Sequence, residues 1–288
     1  MAYSDKRVFV SLADVKEHLS SNGESGEPWQ IPSMPSPLPD AVLPSFLHGL
    51  NASLLRDVKN ALQAATEPSA AAFEQLAMLH HKLHYLLLLE RGAMTRPQQA
   101  GCGLGTWLTC QQGALGFGWL SHPTSLQLEQ WAVDPGAVPE GTQWHFKALQ
   151  RGETVYFGPG TVYFLITLPG RDSLALAVAG HVLRRCDLVR YAEVLLQQVQ
   201  AAADRFKHSK MSTPPPLPFP TESGILSVLA SSVTEKLAEL AVTAGKSHRE
   251  DEYGGHFAIK KFQSNVVRVR ELIAEVTSPR TVMKREII

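Results

Sequence analysis

This sequence has few cysteines, no excess of positive or negative charge and no long apolar stretch. The three cysteines, Cys102, Cys110 and Cys186, form no Cys-x-x-Cys pair, which argues against a disulfide framework or a thiolate zinc site. Lys plus Arg number 27 and Asp plus Glu also number 27, so no overall field draws the chain to nucleic acid or to an acidic membrane. No apolar run reaches the roughly 18 residues that a membrane helix needs.

The first residues also lack the apolar core of a secretory signal. We therefore expect a cytoplasmic protein, kept reduced, that has neither nucleic acid nor a membrane as its partner. A chain of 288 residues with 44% apolar side chains is long enough and apolar enough to bury a sizeable core.

Apolar residues at helical spacing flank a central region of different character. The region 1–84 should hold helices that pack on the centre and an arm over 21–45, where six prolines exclude helix and central strand. The region 184–288 should be helical, with a stiff proline-rich linker at 213–220. The helices expected in the two flanks are 10–20, one beginning after Asn51, 69–81, 186–207, 223–245 and 257–277.

The central region, 85–183, consists of short apolar runs separated by Gly and Pro turn signals, a pattern typical of an antiparallel sandwich or barrel. One helical insert, 123–132, interrupts it, and Thr124 with Gln127 predicts a capping box at its start. The expected strands are 85–89, 106–110, 115–120, 143–149, 154–157, 161–167 and 173–179. The fold class is therefore α+β.

Four segments of this region, in this order and spacing, resemble the JmjC-like domain of filamentous fungi. They are Gly103-Leu-Gly-Thr-Trp107, Gly113-Ala-Leu-Gly-Phe-Gly-Trp119, Gly160-Thr-Val-Tyr-Phe164 and Leu174-Ala-Leu-Ala-Val-Ala-Gly-His181. The resemblance covers roughly residues 85–200. It implies a double-stranded β-helix, a cupin-type barrel, with helices on its outside. In working members this barrel binds Fe(II) and 2-oxoglutarate and hydroxylates a substrate, often demethylating lysine.

The resemblance also places the iron ligands, and here the sequence departs from the family. Fe(II) oxygenases of this kind hold the metal with two histidines and one carboxylate. Alignment on the glycines puts Gln98, Ala100 and Tyr163 at these three positions. Phe117 stands where a lysine often anchors 2-oxoglutarate. We therefore expect no metal and no cofactor, and an active Fe(II)/2-oxoglutarate oxygenase is only a remote alternative.

Two functional classes remain, and we favour a repurposed, cofactor-independent enzyme. In this hypothesis Gln98 and Tyr163 are catalytic and act on an apolar small molecule in the barrel, by cyclisation, pericyclic reaction or isomerisation in fungal secondary metabolism. The side chains expected to bind the substrate are Thr106, Trp107, Phe117, Trp119, Tyr156 and His181. The aromatic ones fit equally well as side chains that only fill the barrel. For His181, a hydrogen bond to the backbone is favoured over a role in orienting a ligand.

The alternative is a non-catalytic JmjC-like pseudoenzyme that serves as a protein-interaction or chromatin-associated scaffold. Its C-terminal helices would suit partner contact or homodimerisation. An enclosed pocket of several hundred Å³ at Gln98 and Tyr163 would favour the enzyme, since that is the usual size of a ligand site. A barrel packed solid would favour the scaffold.

Two further groups of side chains invite a catalytic or metal-binding interpretation. His80, His81 and His84 have metal-like spacing but lack the glutamate of a zinc-protease motif. We interpret them as a solvated or core-edge cluster. Cys102 and Cys110 are interpreted as small buried residues rather than nucleophiles.

Overall fold

The computed structural model of this chain is an α+β protein, as the sequence predicts. It describes residues 12–20, 28–36, 43–49, 52, 54–65, 77, 83–99, 103–133, 140–170, 173–208, 233–246 and 249–277. The predicted helix over 69–81, the linker at 213–220 and Ala100 lie outside these residues, apart from residue 77. None of the helices in the described ranges combines the length and the hydropathy needed to span a membrane.

The helices lie close to their predicted positions, except that residues 223–232 of the predicted helix 223–245 lie outside the described ranges. They are α1 (Leu12–Ser20), α2 (Leu54–Ala65), α3 (Ser125–Val133), α4 (Leu188–His208), α5 (Thr234–Lys246) and α6 (His256–Thr277). The capping box of α3 is formed as predicted: the Thr124 backbone N–H donates to Gln127 Oε1 at 2.9 Å, and the Gln127 backbone N–H donates to Thr124 Oγ1 at 3.2 Å. The loop between α5 and α6 differs from the prediction, because it contains a short 3-10 helix, Glu250–Tyr253, that buries Tyr253.

The described residues form nine strands, two more than the sequence predicts. They are β1 (Gln30–Pro35), β2 (Tyr85–Glu90), β3 (Gln98–Gln99), β4 (Gly105–Gln112), β5 (Leu115–Ser121), β6 (Gln143–Leu149), β7 (Thr154–Phe157), β8 (Val162–Thr167) and β9 (Leu174–Val182). The two that the sequence does not reveal are β1 and β3. Strand β1 lies within the predicted proline-rich arm and pairs with β2, with an irregularity between Ile31 and Met34 that includes Pro32.

The strands form two antiparallel sheets. One has the order β1-β2-β9-β4-β7 and the other the order β3-β8-β5-β6. From β2 to β9 the chain therefore passes between the sheets after β2, β3, β4, β6, β7 and β8. Within the described ranges no strand pairing joins the two sheets, so the barrel expected from the sequence is an open pair of sheets.

The space between the sheets is filled by the inward-facing residues of both. Strand β9 contributes three small side chains at alternating positions, Ala175, Ala177 and Ala179, all at most 1% exposed. Larger side chains from the other strands complete the cluster, including Leu89, Leu108, Leu115, Phe117, Phe157, Tyr163 and Leu165. We refer to this cluster as the inner core.

A second core lies between the helices and one end of the sheets. Helices α4, α5 and α6 pack together through residues such as Tyr191, Leu237 and Phe262, and Leu54 of α2 joins them. Leu104, Leu183 and the start of α4 connect this helical core to β4 and β9. Helices α2, α4, α5 and α6 thus share one core with residues at one end of the sheets, and their apolar residues are buried there.

The N-terminal helix α1 contacts the sheet through His18, which makes a ring stack and a polar contact. The ring of His18 stacks on Trp29 with centroids 3.8 Å apart. His18 Nε2 lies 3.0 Å from Glu90 Oε1 at the end of β2, and the Trp29 backbone N–H donates to the other Glu90 oxygen at 2.9 Å. Glu90 therefore connects α1, the segment before β1 and the end of β2.

Candidate functional site

The two residues predicted to be catalytic are in contact. Gln98 on β3 is the cross-strand partner of Tyr163 on β8, and Gln98 Nε2 donates to Tyr163 Oη at 3.2 Å. Tyr163 is 8% exposed and belongs to the inner core. The pair therefore lies on the inner face of its sheet. The two side chains are in contact because directly opposed residues of neighbouring strands point to the same face.

The segment before β3 positions Gln98. The Thr95 backbone N–H donates to the Leu165 carbonyl, and the Leu165 backbone N–H donates to Thr95 Oγ1, both at 2.8 Å. Met94 forms an isolated bridge with Ile166. These contacts hold residues 94–95 against β8 and so set the register of the short strand that follows.

The inner-face row continues across the sheet from Tyr163 to Trp119 and from Trp119 to His145. The rings of Trp119 and His145 are 5.5 Å apart. Gln98, Tyr163, Trp119 and His145 thus form one row across all four strands. His145 is at the exposed end of this row, on the edge strand β6.

Aromatic rings fill the interior beside this row. The ring of Phe117 lies 5.3 Å from Trp119, 5.0 Å from Phe157 and 6.0 Å from Tyr163. Phe157, from the opposite sheet, lies 4.6 Å from Tyr163. These centroid distances are those of packed aromatic side chains, so the rings contact one another across the two sheets.

Thr106 and His181 are also brought together on the inner face, on the other sheet. They are cross-strand partners on β4 and β9, and Thr106 Oγ1 lies 3.0 Å from His181 Nδ1. Both are buried, and the ring of Tyr85 is 5.5 Å from that of His181. Thr106 is in turn opposite Phe157, which places this row against the aromatic cluster.

Trp107 and Tyr156, by contrast, face away from the interior, because successive strand residues point to opposite faces. Trp107 packs on the outer face with Leu47 and Val182. Tyr156 Oη donates to Asp187 Oδ2 at 3.2 Å. Burial and the negative charge of Asp187 both raise the pKa of the Tyr156 phenol. These two side chains do not line the space between the sheets.

Two cavities in the described part of the molecule lie away from the Gln98–Tyr163 pair. One of about 10 Å³, close to the size of a single water, touches His181, Leu55 and Leu83. A groove of about 270 Å³ lies at the other end of the sheets, lined by Arg91, Gly113 and Thr167 among others. Neither is lined by Gln98 or Tyr163.

Some residues near the candidate site were not singled out by the sequence. Lys147 pairs with Phe117 on the inner face of β6. Gln198 of α4 donates to Gln99 Oε1 at 3.1 Å, and Gln99 Nε2 donates to the Gly160 carbonyl at 3.2 Å. The alternation of β6 would place Lys147 on the solvent face, opposite to the face of Trp144 and Phe146, so it does not reveal the pairing of Lys147 with Phe117. No local pattern reveals the contact of Gln198.

The other candidates do not assemble a reactive site. Cys110 is fully buried, and burial raises the pKa of its thiol, which disfavours the thiolate that a nucleophile requires. His80, His81 and Cys102 lie outside the described residues. Within the described residues, no group of three or more His, Cys, Asp or Glu side chains is placed to hold a metal ion.

No protein-family model and no curated protein matches this chain. Solved structures with some similarity include the cupin domain of Drosophila melanogaster CENP-C, at 12% identity and a TM-score of 0.26, covering 34% of this chain and 59% of that one. Oxalate oxidase in complex with the substrate analogue glycolate has 16% identity and a TM-score of 0.26, with 35% and 41% covered.

Hydroquinone 1,2-dioxygenase from Sphingomonas sp. TTNP3, with 4-hydroxybenzoate bound, has 16% identity and a TM-score of 0.25, with 34% and 59% covered. This chain spans less than two thirds of the length of each of these structures. Similarities with such low TM-scores say nothing about the function of this chain.

Proposed function

We propose that this chain is a metal-independent protein of the double-stranded β-helix (cupin) type whose sheets form a packed scaffold for protein interaction. The strand order supports the fold. Leaving β1 aside, the sheets run β2-β9-β4-β7 and β3-β8-β5-β6. Numbered from β2, this is the order 1-8-3-6 facing 2-7-4-5, which an eight-stranded jelly roll produces by winding its strands alternately into two sheets.

The filled interior is the observation that carries the functional part of the proposal. Phe117, Phe157 and Tyr163 contact one another between the sheets, and Phe117 is only 3% exposed. The two cavities described above lie away from them. A ligand site of ordinary size, about 300–1,000 Å³, would need these rings to move.

Gln98 and Tyr163, at positions where the JmjC-like family has iron ligands, do not suit Fe(II). A glutamine amide oxygen and a phenol are weak ligands for Fe(II), whereas this class of iron site uses two imidazoles and a carboxylate. The Gln98 amide already donates to the Tyr163 oxygen. In this proposal the iron site has been replaced, and the chain uses neither iron nor 2-oxoglutarate.

Replacement of Phe117 tests the packed interior. In a filled core, Phe117→Ala should lower the free energy of unfolding by about 3–5 kcal/mol, because truncation of a buried aromatic residue removes contacts and leaves a cavity. Truncation of a Phe that lines an empty ligand pocket would lower the free energy of unfolding far less. The measurement is chemical denaturation followed by circular dichroism.

The matched control is Phe146→Ala, since Phe146 is 54% exposed on the neighbouring strand. Its truncation should change the stability by less than about 1 kcal/mol. A Phe117→Ala variant as stable as this control would contradict the packed scaffold.

One observation favours a second candidate, the cofactor-independent cyclase or isomerase. The Gln98–Tyr163 hydrogen bond places an amide and a phenol side by side among aromatic rings. Such a pair is able to polarise a carbonyl of an apolar substrate if the interior opens. In that case turnover of the substrate should fall in both Gln98→Ala and Tyr163→Phe, and either variant with unchanged turnover would exclude this candidate.

A further inference from the structure

The edges of the two sheets differ in how they are protected. Exposed edge strands invite pairing with another chain, and proteins protect them with prolines or by keeping them short. Strand β1 contains Pro32 and Pro35, β3 has only two residues, and β7 has four. Strand β6, Gln143–Leu149, is seven residues long and contains neither proline nor glycine.

Strand β6 is exposed along most of its length. All seven of its residues pair with β5, and in the described part of the chain no strand lies on its other side. His145, Phe146 and Lys147 are exposed at its centre. The outer side of β6 thus offers its main-chain groups to an added strand.

The outer face of the sheet beside this edge is aromatic. The ring of Phe146 lies over Gly116 and that of Phe164 lies over Gly118, where a Cβ atom would overlap each ring. Trp144 meets Phe164 edge to face, with centroids 5.2 Å apart. Apolar side chains of an added strand would contact Phe146 on this face.

The inner face at the same edge is basic. Lys147 stands opposite Phe117 and His145 opposite Trp119, so both side chains project on the inner face of the edge strand. Lys147 is a charged side chain at the end of an apolar row. Acidic side chains of an added strand would meet Lys147 and His145 there.

We propose that β6 is the docking edge for an extended segment of another protein in which apolar and acidic residues alternate. This inference rests on the proposed interaction function and names its surface and partner class. The segment adds a strand to β6 by main-chain hydrogen bonds, and its alternate side chains give specificity, apolar ones toward Phe146 and acidic ones toward Lys147.

Charge argues against a second copy of this chain as the occupant. Antiparallel pairing of two β6 strands centred on Phe146 places Lys147 opposite His145 of the other copy. Pairing centred on Lys147 places the two lysines opposite each other, and like charges directly opposite destabilise a strand pair. An acidic residue of a partner strand at the same position would instead attract Lys147.

The test uses the full chain and a fluorescein-labelled peptide of the sequence Thr-Val-Glu-Val-Glu-Val-Thr, with fluorescence anisotropy as the readout. We expect saturable binding. Lys147→Glu should weaken it by about tenfold, since each cross-strand attraction becomes a repulsion. The same variant should bind better than the wild type to a peptide in which both glutamates are replaced by lysine.

The matched control is Lys260→Glu, which makes the same change of net charge at an exposed position of α6 and should leave binding unchanged. Phe146→Ser should weaken binding through the outer face, and Lys147→Gln should give an intermediate affinity. Circular dichroism of each variant checks that the fold is intact.

Absence of peptide binding to the wild-type chain, or equal affinity for Lys147→Glu and Lys260→Glu, would overturn the inference. A dimer in sedimentation equilibrium that is lost in Phe146→Ser would also overturn it, in favour of a second copy. These failures are separate from a failure of the proposed scaffold, because the stability loss of Phe117→Ala does not depend on β6.

Discussion

Gly103 illustrates how much a single backbone position contributes to this fold. It precedes β4, in the first of the glycine-containing segments, and has a φ of +69°. A Cβ atom there would overlap the main-chain carbonyl oxygen of Tyr191 in α4. Glycine is required for two reasons. A positive φ is unfavourable for residues with a side chain, and the helix backbone approaches too closely to leave room for one.

Replacement of Gly103 by alanine should therefore be costly. The left-handed conformation disfavours alanine by roughly 1–2 kcal/mol, and the overlap with main-chain atoms adds a cost of about 1–3 kcal/mol. We expect Gly103→Ala to lower the free energy of unfolding by at least about 2 kcal/mol in urea denaturation.

Gly158→Ala is the control, because a Cβ atom at Gly158 has no neighbour within 4 Å. This variant should be close to the wild type in stability. Equal stability of the two alanine variants would show that the approach of Tyr191 does not constrain residue 103.

At the scale of elements, one carboxylate links two helices of the C-terminal region. Glu193 of α4 accepts hydrogen bonds from Lys261 of α6 at 2.6 Å and from Arg190 of its own helix at 3.3 Å. Burial acts to raise the pKa of Glu193, but the hydrogen bonds and charges of Lys261 and Arg190 outweigh it, so the pKa is lowered.

This lowered pKa predicts a pH dependence. A carboxyl group whose pKa is lower in the folded state contributes stability above its unfolded pKa, and that contribution is lost as the pH falls through the folded pKa. Glu193→Gln should be less stable than the wild type by up to about 1 kcal/mol at neutral pH. The difference should shrink below the ordinary carboxyl pKa of 4.5.

Thermal or urea denaturation from pH 7 to pH 3 measures this difference. Glu271→Gln is the control, since Glu271 pairs only with Arg268 of the same helix among the ion pairs observed here and is more than half exposed. A Glu193→Gln variant with a constant deficit at every pH would show that the loss is not electrostatic.

At the scale of the whole molecule, the helical core joins parts of the chain that lie far apart in sequence. Leu54 of α2, Leu104 before β4, Leu183 after β9 and Phe262 of α6 belong to one cluster of buried residues. The sequence regions 1–84, 85–183 and 184–288 therefore all contribute to the same core. Homodimerisation through the C-terminal helices stays a prediction, as do cytoplasmic location and the absence of nucleic-acid partners.

Removal of α6 should destabilise the whole protein. The helix buries five apolar side chains against the rest of the chain: Ile259, Phe262, Val266, Val269 and Leu272. Burial of one such side chain contributes about 1.5–3 kcal/mol, so the five together match the roughly 5–15 kcal/mol by which a typical domain is stable.

A chain ending at Gly255 should therefore lose its cooperative unfolding transition and bind a hydrophobic dye. A chain ending at Thr277, which keeps α6, is the control and should unfold like the full-length protein. Cooperative unfolding of the shorter chain would show that the sheets are stable without this helix.

Elements with a local sequence signal could be predicted before the structure was known. Alternation and turn glycines located β2 and β4 to β9 to within a few residues, and helical spacing located α1, α2, α4 and α6. The capping box of α3 was readable for the same reason, since both partners lie within one helical turn. These features depend on neighbouring residues, so a pattern in the sequence is sufficient to find them.

Features that depend on residues distant in sequence could not be predicted in this way. Strand β3 has two residues and exists because it pairs with β8, and β1 forms in a proline-rich segment because β2 offers an edge. The resemblance named Gln98 and Tyr163, but only the fold brings them into contact. Phe117 lies between the sheets, whereas Trp107 and Tyr156 lie on the outer face. The face that each strand buries depends on how the two sheets pack, and no local sequence pattern shows this.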